Sequence, residues 1–361
     1  GAVDPPCYTV GMNSWDTRAA RAGFWAVLLL GIFAWAPATY PGYWEGLEGF
    51  TPAFNALQPG VISTLAADAD LWRGTGSATY ILAQPVLMLG LPATVAVRFL
   101  FVLILILSGL SVYAWLNPRF GDRAAGLGGL AYMLLPPVLA TIYVRGSLAD
   151  AWILALLPLT LVALDAYSQS GSPAAAGILI VAQLWMWRTQ AGLALLATLL
   201  LLLYALIVER NRFAPLIVAL SGAAGLASLI PLSSIQRPPP VDFFEHFVYL
   251  FQLGATGWTV APSIPGWQDQ YPFQLGFAAL GLGVLALWLW LTRRDNRANP
   301  AYHPFLTFAA VGAGVIILLS LNPAAFAWRV SGADRLLTYP WLFLLLAMPL
   351  LAALIGSVPA L

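Results

Sequence analysis

Five stretches of this chain carry polar residues of types that do chemistry. In "GYWEGLEGF" (42–50), Glu45 and Glu48 stand three residues apart, so on a helical turn they would share one face. A carboxylate among aromatics at a membrane surface could act as a general base or hold a divalent metal. The same composition also reads as a solvated loop whose aromatics sit in the interfacial belt. Asp68, Asp70 and Arg73 follow in the same loop.

The second stretch, "IYVRGSLADAWILALLPL" (142–159), sets Arg145 and Asp150 at the mouth of an apolar run. Ser147 fits as an N-cap with Asp150 at the third helical position, a variant capping box that suits the helix dipole. Arg145 has two readings: an ion pair with a loop acid or lipid headgroup, or a clamp on a phosphate, which the guanidinium fork performs well. In "WMWRTQ" (185–190), Arg188 lies between two apolar runs. It either binds a ligand phosphate or snorkels from a tight turn. Residues 241–276 mix His246, Asp269, Trp258 and Trp267 with further aromatics. Aromatic walls with a few polar groups suit sugar stacking, and a lone histidine also serves structure. Last, "GADRLLTYPWLF" (332–343) reads as a helix start with an interfacial Tyr-Pro-Trp anchor at Tyr339.

These residues need elements to hold them, and composition says which kind. Of 361 residues, 60% are hydrophobic and 9% charged, with a mean hydropathy of +0.82. A soluble domain carries about 25% charged residues. The chain therefore reads as an all-α, polytopic integral membrane protein. Apolar runs fall near 22–39, 94–116, 124–143, 151–167, 173–187, 190–208, 214–231, 273–292, 304–321 and 336–356, which predicts about ten transmembrane helices. Residues 77–92 are short and proline-bounded, as suits an interfacial or re-entrant helix. All sixteen basic residues are arginine, which excludes Schiff-base and P-loop lysine chemistry. One cysteine and two separated histidines offer no haem or iron–sulfur ligand set. A net charge of +1 gives no argument for nucleic acid.

With the N-terminus in the cytoplasm, nine loop arginines fall inside and six outside, in keeping with the positive-inside rule. The long loops 40–76 and 232–272 then both face out, and so does every polar stretch above. Residues 1–20 lack the pattern of a cleavable signal, so the first apolar run is expected to stay as a span. The whole chain, 1–361, reads as one transmembrane domain.

The stretches "PGYWEGLEGF", "YVRGSLADAWILALLPL", "HFVYLFQLGATGWTVAPSIPGWQDQYPFQLG" and "RLLTYPW" resemble those of bacterial membrane proteins labelled 6-pyruvoyl-tetrahydropterin synthase-related, within the GT-C superfamily of polytopic glycosyltransferases. The resemblance implies a bacterial inner-membrane protein that transfers sugar from a polyprenyl-phosphate donor at the external face. It implies Glu48, or else Glu45, as base or metal ligand, and Arg145 and Arg188 on the donor phosphate. His246, Trp258, Trp267 and Asp269 would contact the acceptor. The first-loop histidine–aspartate pair usual in that superfamily is absent here, and leucine (Leu342) stands where arginine is expected. The missing pair and the lack of redox ligands favour a second expectation: a non-catalytic accessory subunit of a larger respiratory or photosynthetic membrane complex.

Overall fold

The computed structural model describes residues 21–40, 42, 46–57, 77–209, 211–229, 241–254, 258–292 and 303–361. Among them the chain is all-α, with one isolated bridge between Val248 and Leu321. The helices are α1 (Ala22–Thr39), α2 (Thr51–Ala56), α3 (Ala78–Met88), α4 (Ala93–Phe120), α5 (Asp122–Leu134), α6 (Pro136–Arg145), α7 (Leu148–Ser170), α8 (Pro173–Thr189), α9 (Ala191–Ile207), α10 (Ala214–Ala227), α11 (Phe277–Thr292), α12 (His303–Ser320), α13 (Ala325–Ser331) and α14 (Pro340–Ala360).

Among the described residues five helices, α1, α4, α7, α12 and α14, are long and apolar enough to cross a membrane, and α5 with α6 makes a sixth, bent by 42°. These are the features of a multi-pass membrane protein. Each of the ten apolar runs contains helix, but several are shorter than their hydropathy implies. Helices α9, α10 and α11 belong to a group of only 10–17 residues. At 1.5 Å per residue, even 17 residues cover about 25 Å of a core roughly 30 Å thick. The run at 273–292 becomes helical only at Phe277, because Gly276 takes a positive φ of 88° just before it. The run at 336–356 opens as a tight 3₁₀ segment, Pro340–Ala347, and turns α-helical at Met348. Residues 77–92 fold as α3, buried at Ala78–Tyr80 and open at Met88 and Leu89.

Helices α7 and α14 form the centre, with 89% and 94% of their apolar windows buried; α1 and α12 lie at the edge, with 28% and 39%. Small residues let the inner helices approach. A Cβ built on Gly356 of α14 would meet the Gly128 Cα of α5 at 3.0 Å, the small-residue contact that brings membrane helices together. The start of α1 is held by Asp122, whose Oδ2 accepts from the Gly23 N–H at 2.6 Å while Oδ1 accepts from the Tyr113 hydroxyl at 2.7 Å.

Two polar ends result. One carries residues 46–50, the α6–α7 turn, Gln190, Tyr271 and Trp341. The other carries Arg119, Asp165, Tyr204 and Glu209. Among the first group, the loop after α1 is fixed by Arg98, which donates to the carbonyls of Tyr40 and Gly42, both at 2.5 Å. Helix α2 is pinned to α3 by Gln84 on the Ala56 carbonyl at 3.0 Å, and α3 to α7 by the Trp152 indole on the Thr79 carbonyl at 3.0 Å.

Candidate functional site

The site begins at a backbone defect. Leu135 takes an extended conformation before Pro136 and breaks the helix there. The chain re-enters as α6, whose last turn, Thr141–Arg145, is a π-helix ending on Gly146 at φ +71°. Such turns leave main-chain carbonyls without helical partners. Residues 46–50 supply the donors: Leu47 N–H bonds the Val144 carbonyl at 2.8 Å and Glu48 N–H the Arg145 carbonyl at 2.9 Å. Gly46 eases this approach, since a Cβ there would lie 3.0 Å from the Arg145 carbonyl carbon and oxygen and press on that backbone. Two polar stretches almost a hundred residues apart are thereby locked together.

The side chains follow. Arg145 lies between two carboxylates, in contact with Asp150 and with its Nε 3.6 Å from Glu48 Oε1. Asp150 is 1% exposed and accepts from the Gln190 amide at 3.4 Å. Glu48 keeps 31% of its side-chain surface open. Burial pushes its carboxyl up to about 7, against the pull of Arg145 and with the help of Asp150's charge; the Ser147 hydroxyl hydrogen-bonds it and draws it part of the way back. A carboxyl balanced near neutrality and partly open to a ligand can accept a proton in a reaction.

An aromatic wall backs the triad. The Arg145 guanidinium lies 5.3 Å over the Trp341 ring, and Trp341 stacks with Tyr271 at 4.4 Å and with Tyr339 at 5.0 Å. His246 meets the edge of Tyr339 at 5.1 Å. Its Nδ1 lies 2.9 Å from Ser263 Oγ, which donates to Asp269 Oδ2 at 2.5 Å. The other Asp269 oxygen accepts from Tyr271 N–H at 2.9 Å. A continuous circuit thus runs from Glu48 through Arg145, Trp341 and Tyr339 to His246, Ser263 and Asp269, and back to Tyr271. Burial holds His246 below the usual imidazole range, with Asp269, Glu245 and Asp242 opposing it. Burial also raises Asp269, with the Ser263 and Tyr271 hydrogen bonds opposing.

Of the residues singled out in the sequence, Glu48, Arg145, Ser147, Asp150, His246 and Asp269 come together here. The Arg188 guanidinium donates to the Ser228 carbonyl at 3.4 Å. Trp258 and Trp267 are 49% and 61% exposed and stand off the wall. Glu45 lies outside the described residues, as do Asp68, Asp70 and Arg73. The capping box is corrected: Ser147 holds the N-cap position but makes no capping bond, because its hydroxyl turns to Glu48, and Asp150 turns to Arg145 and Gln190. The Tyr-Pro-Trp anchor is corrected too. Trp341 is 5% exposed, because the arginine face and two tyrosines enclose it.

Residue types alone did not mark Tyr271, Trp341 and Ser263. Nothing in a short aromatic-and-proline segment separates a ring that faces lipid from one that faces an arginine. Among the described residues no three His, Cys, Asp or Glu side chains converge as metal ligands. Compared with known protein families and with curated proteins, the chain matches none.

Proposed function

We propose that this chain is the membrane domain of a GT-C-type transferase, crossing the membrane ten times with its N-terminus in the cytoplasm. On this reading the Glu48–Arg145–Asp150 end faces outward and works on a polyprenyl-phosphate sugar. The observation that carries the reading is Glu48: a partly open carboxyl near pH 7, fixed by two backbone bonds and paired to an arginine.

The chemistry follows from that pairing. Glu48, as carboxylate, takes the proton of an acceptor hydroxyl as its oxygen bonds the anomeric carbon. The bond from that carbon to the phosphate oxygen breaks, and its electron pair leaves with the phosphate. Protonation of Glu48 removes one of the two charges that hold Arg145. The guanidinium is then free to stabilise the departing phosphate, a group its fork matches. Asp150, fixed by Gln190, keeps the arginine in place throughout. The acceptor would lie against the His246–Asp269 side of the circuit, with Trp258 and Trp267 at its open edge.

The test is transfer from a panel of polyprenyl-phosphate sugars in membranes carrying wild type or Glu48→Gln at equal folded amounts. Transfer by wild type and its loss by at least 100-fold in the variant is the expected result. Undiminished transfer in the variant overturns the assignment.

One observation favours a second reading, that of an accessory subunit. Leu250, Phe251, Trp258, Val260, Ile264 and Trp267 are exposed on a single segment beside the site, and an apolar patch of this kind suits a protein partner. Stoichiometric co-purification with other membrane subunits in a gentle detergent, with no transfer, would decide for it.

A further inference from the structure

Helices α9 and α12 do not close on each other along their length. Between them, with Phe343 and Leu346 of α14 as the floor, lies a groove of about 390 Å³. It runs from Leu196 to Ile207 on α9 and from Thr307 to Leu319 on α12, about 16–18 Å at 1.5 Å per residue. That matches the depth of one leaflet, half of a core roughly 30 Å thick.

The lining selects hydrocarbon. Thr307 is the one hydroxyl in it, and that group is spent on the His303 carbonyl at 2.6 Å. A water needs two to four polar partners, and the lining supplies only the acceptor side of that one hydroxyl. The walls open sideways, with Leu203 51% and Val311 59% exposed. A helix about 10 Å across and 18 Å long would need roughly 1,400 Å³, so a partner span does not fit within it. An extended chain does.

One end of the groove carries a cation. The Trp328 indole donates to the carbonyl of Leu319 at 2.7 Å and its ring meets Phe343 at 5.5 Å, which closes the groove at the end shared with the Glu48 site. The next residue, Arg329, is exposed, rests on the Phe244 ring at 4.7 Å, and among the described residues forms no ion pair. On this geometry we propose that the α9–α12 groove binds one acyl chain of an anionic phospholipid, with its phosphate on Arg329. The site is separate from Glu48 and stands whether or not the transferase reading does.

Delipidated protein in mild detergent is titrated with palmitoyl-oleoyl phosphatidylglycerol or phosphatidylcholine, and bound lipid is counted by native mass spectrometry. Wild type is expected to retain one phosphatidylglycerol more tightly than phosphatidylcholine. Val315→Trp, which fills the groove, should weaken both about tenfold. Arg329→Gln should reduce phosphatidylglycerol to the level of phosphatidylcholine and leave the latter unchanged, and Glu48→Gln should change neither. Val311→Phe gives a smaller filling of the same groove if Val315→Trp does not fold. Wild-type binding in the folded groove-filling variant overturns the proposal. So does displacement of phosphatidylglycerol by an equal concentration of polyprenyl phosphate, which would assign the groove to an isoprenoid.

Discussion

At the scale of single residues, the molecule turns on the arrangement of two carboxylates about one arginine. If Glu48 works as a base, only its ionised form is active. Transfer should then rise with pH along a curve whose midpoint lies about 7, and initial rates measured from pH 5.5 to 8.5 would trace it. Arg145→Gln removes the charge that lowers Glu48, so any residual activity should shift its midpoint to higher pH. The same variant leaves Asp150, 1% exposed, as a buried and unpaired charge, at a cost of about 3–5 kcal/mol. Loss of folded protein or a fall of many degrees in melting temperature is the expected outcome. A fully stable Arg145→Gln would overturn this account of the pair. Arg145 and Asp150 were legible in the sequence because they stand at the mouth of an apolar run, and Glu48 because it stands among the aromatics of a loop. Their pairing was not, since nothing local to Glu48 points to a residue 97 positions away.

The elements explain why the pairing holds. The π-turn at 141–145 and the left-handed Gly146 aim two carbonyls at the N–H groups of Leu47 and Glu48. Gly146→Ala should therefore cost about 1–2 kcal/mol, the penalty for a Cβ in that conformation, and should lower thermal stability without touching a charged group. Ala at a nearby exposed position of ordinary φ serves as the control. The opposite end of the bundle holds a second polar cluster on the ends of α4, α7 and α9. Arg119 contacts Asp165 and donates to Tyr204 at 3.0 Å and to Glu209 at 3.2 Å, and Tyr204 donates to Asp165 at 2.8 Å. Burial, then the hydrogen bond and charge of Asp165, push Glu209 up to about 7. Its folded value lies above the ordinary 4.5, so the folded state binds the proton more tightly and stability falls as pH rises from about 4.5 to about 7. Glu48 adds a slope of the same sign. Glu209→Gln should flatten part of the fall in melting temperature over that window, and an unchanged slope would put the titration elsewhere. Hydropathy located these helices and not their ends, because the α6 defect and the 3₁₀ opening of α14 are set by tertiary contacts and prolines.

For the whole molecule, the distribution of polar groups is the argument for orientation. The end with Glu48 carries the two longest connections, 40–76 and 232–272; those at the end with Arg119 are shorter in sequence. The all-α membrane class was readable from charge scarcity alone. The span count was less so, because apolar length overstates helix length wherever a glycine or proline ends the helix early, as at Gly276. Four short helices, α8, α9, α10 and α11, must cross if there are ten spans, and thinning of the bilayer around them is the physical route. Labelling tests this directly. With Cys7 replaced by serine, a cysteine at Leu250, 73% exposed, should react with a membrane-impermeant maleimide on intact cells. A cysteine at Ser170, exposed where α7 ends, should react only after permeabilisation. A cysteine at Ser331, at the end of α13, lies beyond α8–α12 in the chain and should behave like that at Leu250. If the Leu250 site labels and the Ser331 site does not, α11 and α12 do not form a crossing pair, and the ten-span arrangement gives way to one with a re-entrant hairpin there. If Ser170 labels on intact cells while Leu250 does not, the bundle is inverted, and Glu48 faces the cytoplasm.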